Sequence, residues 1–248
     1  MEYFQTKVIN HYQVGKGIFV MELVANGSRC RAGQFFMLKT ADASRPLMRP
    51  ISIYQATDNS VSFMYRISGQ GTEELSHLKN NDTIFILGPL GNGFPCEKVS
   101  GRIALIGGGI GIAPLWFTAE TLLKNTENEV DVYLGYRDEL FALDHFVILD
   151  TDFFIATEYG DEGYHGLITD LFEPDHYDAV FACGPEPMMK AVFTMCKEVR
   201  TPLWISAERR MACGVGACLG CAFPTLNGVK RVCKDGPVFA DKELCWES

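Results

Sequence analysis

Over the first hundred residues, apolar and polar positions alternate in short runs broken by glycine and polar turns: KVINHYQV (7–14), GIFVMELV (17–24), QFFMLKT (34–40), ISIY (51–54), VSFMYRIS (61–68) and DTIFILG (82–88). Many short strands with turn signals between them predict an antiparallel β-barrel or sandwich. From Arg102 the texture changes. Strand-like runs RIALIG (102–107), VDVYLGY (130–136), FFIATE (153–158), DAVFACG (178–184) and LWIS (203–206) alternate with helix-like ones. That alternation predicts a doubly wound parallel sheet with crossover helices, and it puts the boundary near 98–101. After Gly184, the residues Met188, Met189, Val192, Phe193, Cys196 and Val199 recur at helical spacing behind Pro185 and Pro187, predicting a core-facing helix. Beyond Ser206 the periodicity stops, leaving about forty residues rich in cysteine and glycine. The expected units are 1–98, 99–207 and 208–248.

At 248 residues, 47% of them hydrophobic, the chain suffices for two cores and an appendage. No apolar run reaches the roughly 18 residues of a membrane helix, and the N-terminus lacks the basic flank of a secretory signal. A soluble cytoplasmic protein with no membrane association is expected. A net charge of −9 argues against nucleic-acid binding, which needs clustered Lys and Arg. Nine cysteines, an odd number with one tight group of four, fit metal or cluster ligation better than disulfides.

That group, Cys213, Cys218, Cys221 and Cys233, has the spacing C-x4-C-x2-C-x11-C. It is the plant-ferredoxin arrangement for a [2Fe–2S] cluster, in which a loop wraps the cluster and a distant segment supplies the last thiolate. Small residues between the cysteines suit a loop whose backbone N–H groups face sulfur. The alternative is a structural zinc site, although zinc ribbons use two C-x2-C knuckles and only one is present. Around the group, Arg209, Arg210, Lys230, Arg231 and Lys234 face Glu208 alone within 206–234. Such a collar offsets the charge of a cluster, and it suggests docking of an electron-transfer partner.

Two further segments suggest nucleotide chemistry. RIALIG leads into Gly107-Gly108-Gly109-Ile110-Gly111-Ile112-Ala113-Pro114, a glycine-rich strand-to-helix turn of the kind that lets a backbone approach a pyrophosphate. Cys183-Gly184-Pro185 ends a later strand, where open α/β sheets place ligands. RPLMRPIS (45–52) and YRISGQGT (65–72) offer the Arg49 guanidinium to a diphosphate, donors at Gly71 and Thr72, and Ser52 within reach of a flavin N5. His145, His165 and His176 are scattered and expected at the surface.

In this order, the R-P-x-S, G-x-G-T, GGG-x-G-x-x-P and C-G-P-x-x-M motifs resemble the ferredoxin-NADP reductase superfamily over the whole chain. The tail MACGVGACLGCAFPTLNGVKRVCKDGPVF is similar to that of the electron-transfer subunits of NAD-dependent dihydroorotate dehydrogenases. The resemblance implies an oxidoreductase subunit with FAD, a [2Fe–2S] cluster and NAD as co-substrate. It also implies a separate FMN-containing dihydroorotate dehydrogenase catalytic subunit as partner, in a heterotetramer of two plus two serving pyrimidine biosynthesis. Carried over, Arg49, Pro50, Ile51, Ser52, Tyr65, Arg66, Ile67, Gly71 and Thr72 would contact FAD. Gly108, Gly109 and Gly111 would meet the pyrophosphate of NAD, Tyr136 and Arg137 its ribose, and Cys183, Gly184 and Pro185 its nicotinamide; Ser52 and Cys183 would stand at the reacting atoms. Flavin subunits of hydrogenases, sulfite reductases and transhydrogenases share this architecture, and a zinc-stapled module without redox activity is the alternative of another class.

Overall fold

In a computed structural model, residues 1–41, 46–149 and 151–246 are described; Arg45, which opens the RPLMRPIS stretch, lies outside them. Six strands, β1 (Glu2–Gly15), β2 (Ile18–Val24), β3 (Phe35–Thr40), β4 (Arg49–Ala56), β5 (Ser60–Arg66) and β6 (Thr83–Leu90), close into an antiparallel barrel. Helix α1 (Gln70–Ser76) sits between β5 and β6. Closure in the order β1-β2-β5-β4-β3-β6 needs a long first strand. β1 therefore begins at Glu2, five residues before the alternating run, because its N-terminal half pairs with β6 and its C-terminal half with β2. Closure leaves no edge to protect.

The second unit holds β7 (Arg102–Gly108), α2 (Ala113–Leu122), β8 (Glu129–Tyr136), α3 (Leu143–Val147), β9 (Asp152–Thr157), β10 (Tyr164–His165), β11 (Ala179–Cys183), α4 (Glu186–Val199) and β12 (Leu203–Ser206). Its six strands are parallel, in the order β10-β9-β8-β7-β11-β12. The order reverses between β7 and β11, and a crevice opens at such a switch point beyond the carboxyl ends of the strands. Helix α2 is buried all round, Trp116 and Phe117 included, because the barrel covers it on the side away from the sheet; it packs on both β4 and β7. Helix α4 buries Met189, Val192, Phe193 and Cys196 as its spacing predicts. Val199, expected on the same face, is 46% exposed, since it closes the last turn beyond the edge of the core.

The C-terminal segment adds the hairpin β13 (Ala222–Thr225) and β14 (Gly228–Arg231), the short helix α5 (Val232–Asp235) and β15 (Val238–Ala240). It is less separate than the sequence suggests. β15 joins the sheet antiparallel to β12, and Trp246 packs edge-on against Phe193 of α4. Asn92, just past β6, exchanges side-chain hydrogen bonds with the backbone of Val238 and donates its own N–H to the Gly236 carbonyl. One buried cluster accordingly runs from Met37 and Leu90 of the barrel through Ile106 and Val192 to Phe223 and Cys233.

Candidate redox site

Cys213 and Cys218 lie in the irregular loop after β12, Cys221 just before β13, and Cys233 in α5. The hairpin brings the distant cysteine back: Ala222 pairs with Arg231, so the chain returns beside Cys221. The Cys221 and Cys233 sulfurs stand 3.2 Å apart, and the Cys233 N–H points at Cys221 Sγ at 3.4 Å. At the other end, the Cys218, Val215 and Ala217 N–H groups and the Cys218 thiol surround Cys213 Sγ and hold its thiol down to about 6. Burial, joined by the Cys221 thiol, pushes Cys233 up to about 12. Among the described residues no three His, Cys, Asp or Glu side chains converge tightly enough for a single metal ion. The four thiols stand as two pairs, Cys213 with Cys218 and Cys221 with Cys233. Two thiols per iron is the donor set of a binuclear cluster, and N–H groups aimed at sulfur are the donors that stabilise its thiolates. The residues present fit that group.

The loop turns through left-handed residues. Gly214 (φ 69°) presses on Met37 of β3, where a Cβ would lie 2.6 Å from the Met37 Cγ. Leu219 adopts φ 59° without that excuse and leaves its side chain 63% exposed beside the cysteines.

The expected basic collar is largely neutralised. Arg209 reaches Glu186 at 3.4 Å and lies over the Phe223 ring, Lys230 pairs with Glu243, and Arg231 grips Asp235 at 3.0 Å. All three acids, Glu186, Asp235 and Glu243, sit outside the stretch 206–234, so the charges along that stretch alone overstate the positive field. The same segment exposes apolar side chains, Leu219, Leu226 at 66% and Val229 at 73%, alongside the exposed Arg210 and Lys234.

On the barrel, Arg49 to Ser52 are the first four residues of β4 rather than a lead-in to it, and all four are half-exposed. The Arg49 guanidinium fills the space above Gly71, where a Cβ would fall 1.8 Å from Nε. The two flavin-type motifs are therefore in contact, and a side chain at position 71 would push the guanidinium aside. Met37, which receives Gly214, pairs with Pro50. Two expectations need correction. Thr72 is buried, and its hydroxyl is engaged locally, accepting the Ser68 and Gly69 N–H groups and donating to the Gly69 carbonyl; it shapes the entry to α1 and is no free donor. The Tyr65 ring is stacked near Phe19 and its hydroxyl meets His11 Nε2 at 2.9 Å, so only the Tyr65 main chain is available to a ligand. Ile67 spends its N–H on the Gly17 carbonyl. Arg66 is exposed, with its guanidinium 5.9 Å from the centre of the Phe141 ring.

At the switch point, Gly111 abuts the Cys183 carbonyl and Gly108 abuts Pro185 and Met188, each too closely for a Cβ. The glycine turn and the Cys183-Gly184-Pro185 strand end are thus one surface. It borders a cavity of about 830 Å3 lined by Gly108, Gly109, Arg66, Arg137, Pro185 and Phe141. Tyr136 and Arg137 both line the cavity; the Tyr136 side chain is buried with its hydroxyl on the Phe141 carbonyl, and the Arg137 guanidinium lies over the Tyr159 ring. Burial pushes the Cys183 thiol up to about 12, against a hydrogen bond with Ser206 that pulls it down. Cys183 therefore keeps its proton. Lys16, Phe141 and Glu158 also line the cavity and were missed in the sequence. Glu158 was findable, since it directly follows β9 at the ligand end of the sheet; Lys16 sits in a hairpin turn whose position depends on barrel closure.

His145 is not a free surface residue. Tyr54 Oη bonds its Nδ1, and its carbonyl accepts from Trp116 Nε1 at 2.9 Å.

The family model for the iron-sulfur cluster binding domain of dihydroorotate dehydrogenase B matches residues 208–245. The dihydroorotate dehydrogenase B (NAD+) electron transfer subunit of Clostridium perfringens is 43% identical over 245 residues, covering 98% of each chain. That of Caldanaerobacter subterraneus is 35% identical over 97% of each. Among solved structures, a chain from the NADH-dependent reduced ferredoxin-NADP oxidoreductase, described in connection with flavin-based electron bifurcation, superposes with a TM-score of 0.86 at 28% identity, covering 97% of this chain and 90% of its own. Phthalate dioxygenase reductase shares the fold, with a TM-score of 0.67 at 18% identity over 90% of this chain and 87% of its own.

Proposed function

The chain belongs to the family of dihydroorotate dehydrogenase B electron-transfer subunits, and from that membership we propose that it draws electrons from the FMN of a separate catalytic subunit and delivers them to NAD+ on the route to UMP. The [2Fe–2S] cluster and FAD supply what amino acids lack, single-electron transfer at one end and a two-electron store able to exchange hydride with nicotinamide at the other.

The chain's own residues bind and align. Residues 1–98 hold the flavin, with Arg49 on the diphosphate, Pro50, Ile51 and Ser52 along β4, Gly71 beneath the arginine, and the main chain of Tyr65, Arg66 and Ile67 at the rim. Residues 99–207 hold the dinucleotide, with Gly108, Gly109 and Gly111 at the pyrophosphate, Arg137 at the ribose, and Cys183, Gly184 and Pro185 beside the nicotinamide, where Cys183 stays a neutral thiol. Residues 208–248 hold the cluster on Cys213, Cys218, Cys221 and Cys233 and lend β15 to the neighbouring sheet.

The observation that carries the reading is the contact of Gly214 with Met37, which pairs with Pro50: the loop of the cluster cysteines rests on the strand next to the flavin strand. The nucleotide cavity, with Arg66 in its lining, opens at the end of the neighbouring strand β5. Three sites in contact make a relay. The exposed Leu219, Leu226 and Val229 give the cluster end an apolar face for the catalytic subunit.

The test is reconstitution. The purified chain, mixed with an FMN-containing dihydroorotate dehydrogenase subunit, is expected to form a two-plus-two complex that makes orotate and NADH in equal amounts from dihydroorotate and NAD+. A complex that forms but reduces no NAD+ would overturn the reading.

A further inference from the structure

A second cavity, of about 310 Å3, lies where the outer face of the barrel meets α2 and α3. Its floor is a row of polar residues in register across four adjacent strands. Asn10 of β1 pairs with Glu22 of β2, Glu22 with Ser62 of β5, and Ser62 with Gln55 of β4. Among the described residues, none of the four side chains makes a hydrogen bond or ion pair. Ser62 lies deepest, only 7% exposed as a residue, and its hydroxyl lines the cavity without a protein partner.

The walls are aromatic. The Tyr54 ring lies 5.5 Å from Trp116 and 5.6 Å from His145, and Tyr12 stands 6.4 Å from His145 at the mouth. His145 is fixed by the Tyr54 hydroxyl and by Trp116 Nε1, so these walls are built rather than loose. Glu22 and Asp144 contribute two carboxylates, and no Lys or Arg lines the space. Both acids act on the Tyr12 phenol, which burial raises and Asp144 and Glu22 raise further.

An anion would meet two carboxylates and no counter-charge. A neutral apolar guest would strip water from those carboxylates and from the Asn10, Gln55 and Ser62 side chains without replacing it. A bare metal ion would leave most of the volume to water, whose share of the liquid is about 30 Å3 per molecule. A cation with several N–H donors satisfies all three parts: charge for the acids, donors for the floor, and a flat or methylene body against the rings.

We propose that this cavity is a binding site for a small organic cation, an amine or guanidinium compound, held between Glu22 and Asp144 with its N–H groups on Ser62, Gln55 and Asn10. The site is independent of the redox assignment. Helix α3, which supplies Asp144 and His145, begins two residues after Phe141 of the nucleotide cavity, so an occupant ties the barrel to the border of that cavity.

Calorimetric titration of the FAD-loaded, cluster-loaded full chain with agmatine and with putrescine tests this. Saturable one-to-one binding of at least one of them is expected, weakened about tenfold or more by Glu22→Gln and by Asp144→Asn, each removing a charge-assisted hydrogen bond. Asp175→Asn, an exposed acid elsewhere, should leave it unchanged. Flavin content reports folding; if either cavity variant fails that check, Ser62→Val, which fills the floor with methyl groups, must abolish binding instead. No saturable binding at millimolar concentration, equal affinity in the cavity variants, or displacement by equimolar magnesium would each overturn the proposal.

Discussion

The Arg49 guanidinium occupies the space a Cβ at position 71 would take, and that one contact joins two motifs twenty-two residues apart. Gly71→Val should therefore mimic Arg49→Ala. With Arg49 on the diphosphate as proposed, both would take the guanidinium away from it, and losing a charge-assisted hydrogen bond of roughly 1.5–3 kcal/mol predicts about a ten- to hundredfold weaker hold on FAD. Flavin retained per chain after gel filtration measures it; a Gly71→Val protein that keeps its full flavin would show that Arg49 does not act there. A different residue carries stability alone. Asp131, only 4% exposed at the end of the sheet away from the crevice, takes hydrogen bonds from Arg102 and from Tyr177, each at 2.7 Å. Asp131→Asn leaves those donors poorly matched and should cost about 1–3 kcal/mol, seen as a lower urea midpoint with an unaltered flavin spectrum. At this scale the sequence shows which residue types are present but not what they are spent on. Thr72 and Tyr65 look like ligand groups along the chain, and only the fold reveals that their hydroxyls are already engaged.

Elements were legible wherever pattern alone determines them. The barrel strands alternate because one face is packed, and the parallel strands run apolar because both faces are. β15 was not legible: three residues, Val-Phe-Ala, carry no period, and their place beside β12 depends on the hairpin, α5 and the Asn92 tie. The charge of the cluster segment misled for the same reason, since Glu186 reaches Arg209 from a helix that begins twenty-three residues earlier. Partner docking should accordingly follow the apolar tips. Leu219→Asp or Val229→Asp is expected to weaken association with the catalytic subunit by about tenfold or more, as loss of a central apolar anchor does. Charge reversal at Arg209 or Lys230 should change it much less, because those cations are already paired. Affinity by calorimetry at low and high salt separates the two outcomes, and a strong effect of Arg209→Glu that fades with salt would restore the electrostatic account.

For the whole molecule, the proposed sites form a line: cysteine loop on β3, the strand β4 proposed for the flavin beside it, and the crevice proposed for the nucleotide beyond, reached through β5 and Arg66. Spacing groups the four cysteines, and the hairpin returns Cys233 to Cys221; the contact of their loop with the barrel was not legible, because Met37 carries no mark that it receives Gly214. A line with two ends can be cut near one of them. Cys221→Ser removes a thiol from the buried Cys221–Cys233 pair and should lose the cluster, while β4, Gly71 and the nucleotide crevice keep their contacts. NADH oxidation by an artificial acceptor through the flavin should then persist at near wild-type rate, whereas orotate formation with the catalytic subunit and NAD+ falls to background. The visible spectrum reports the cluster and the flavin separately in the same sample. Parallel loss of both activities, with flavin still bound, would mean that the cluster segment also governs hydride exchange, which its lent strand β15 and the Glu186–Arg209 contact beside Pro185 make the one physical route to test next.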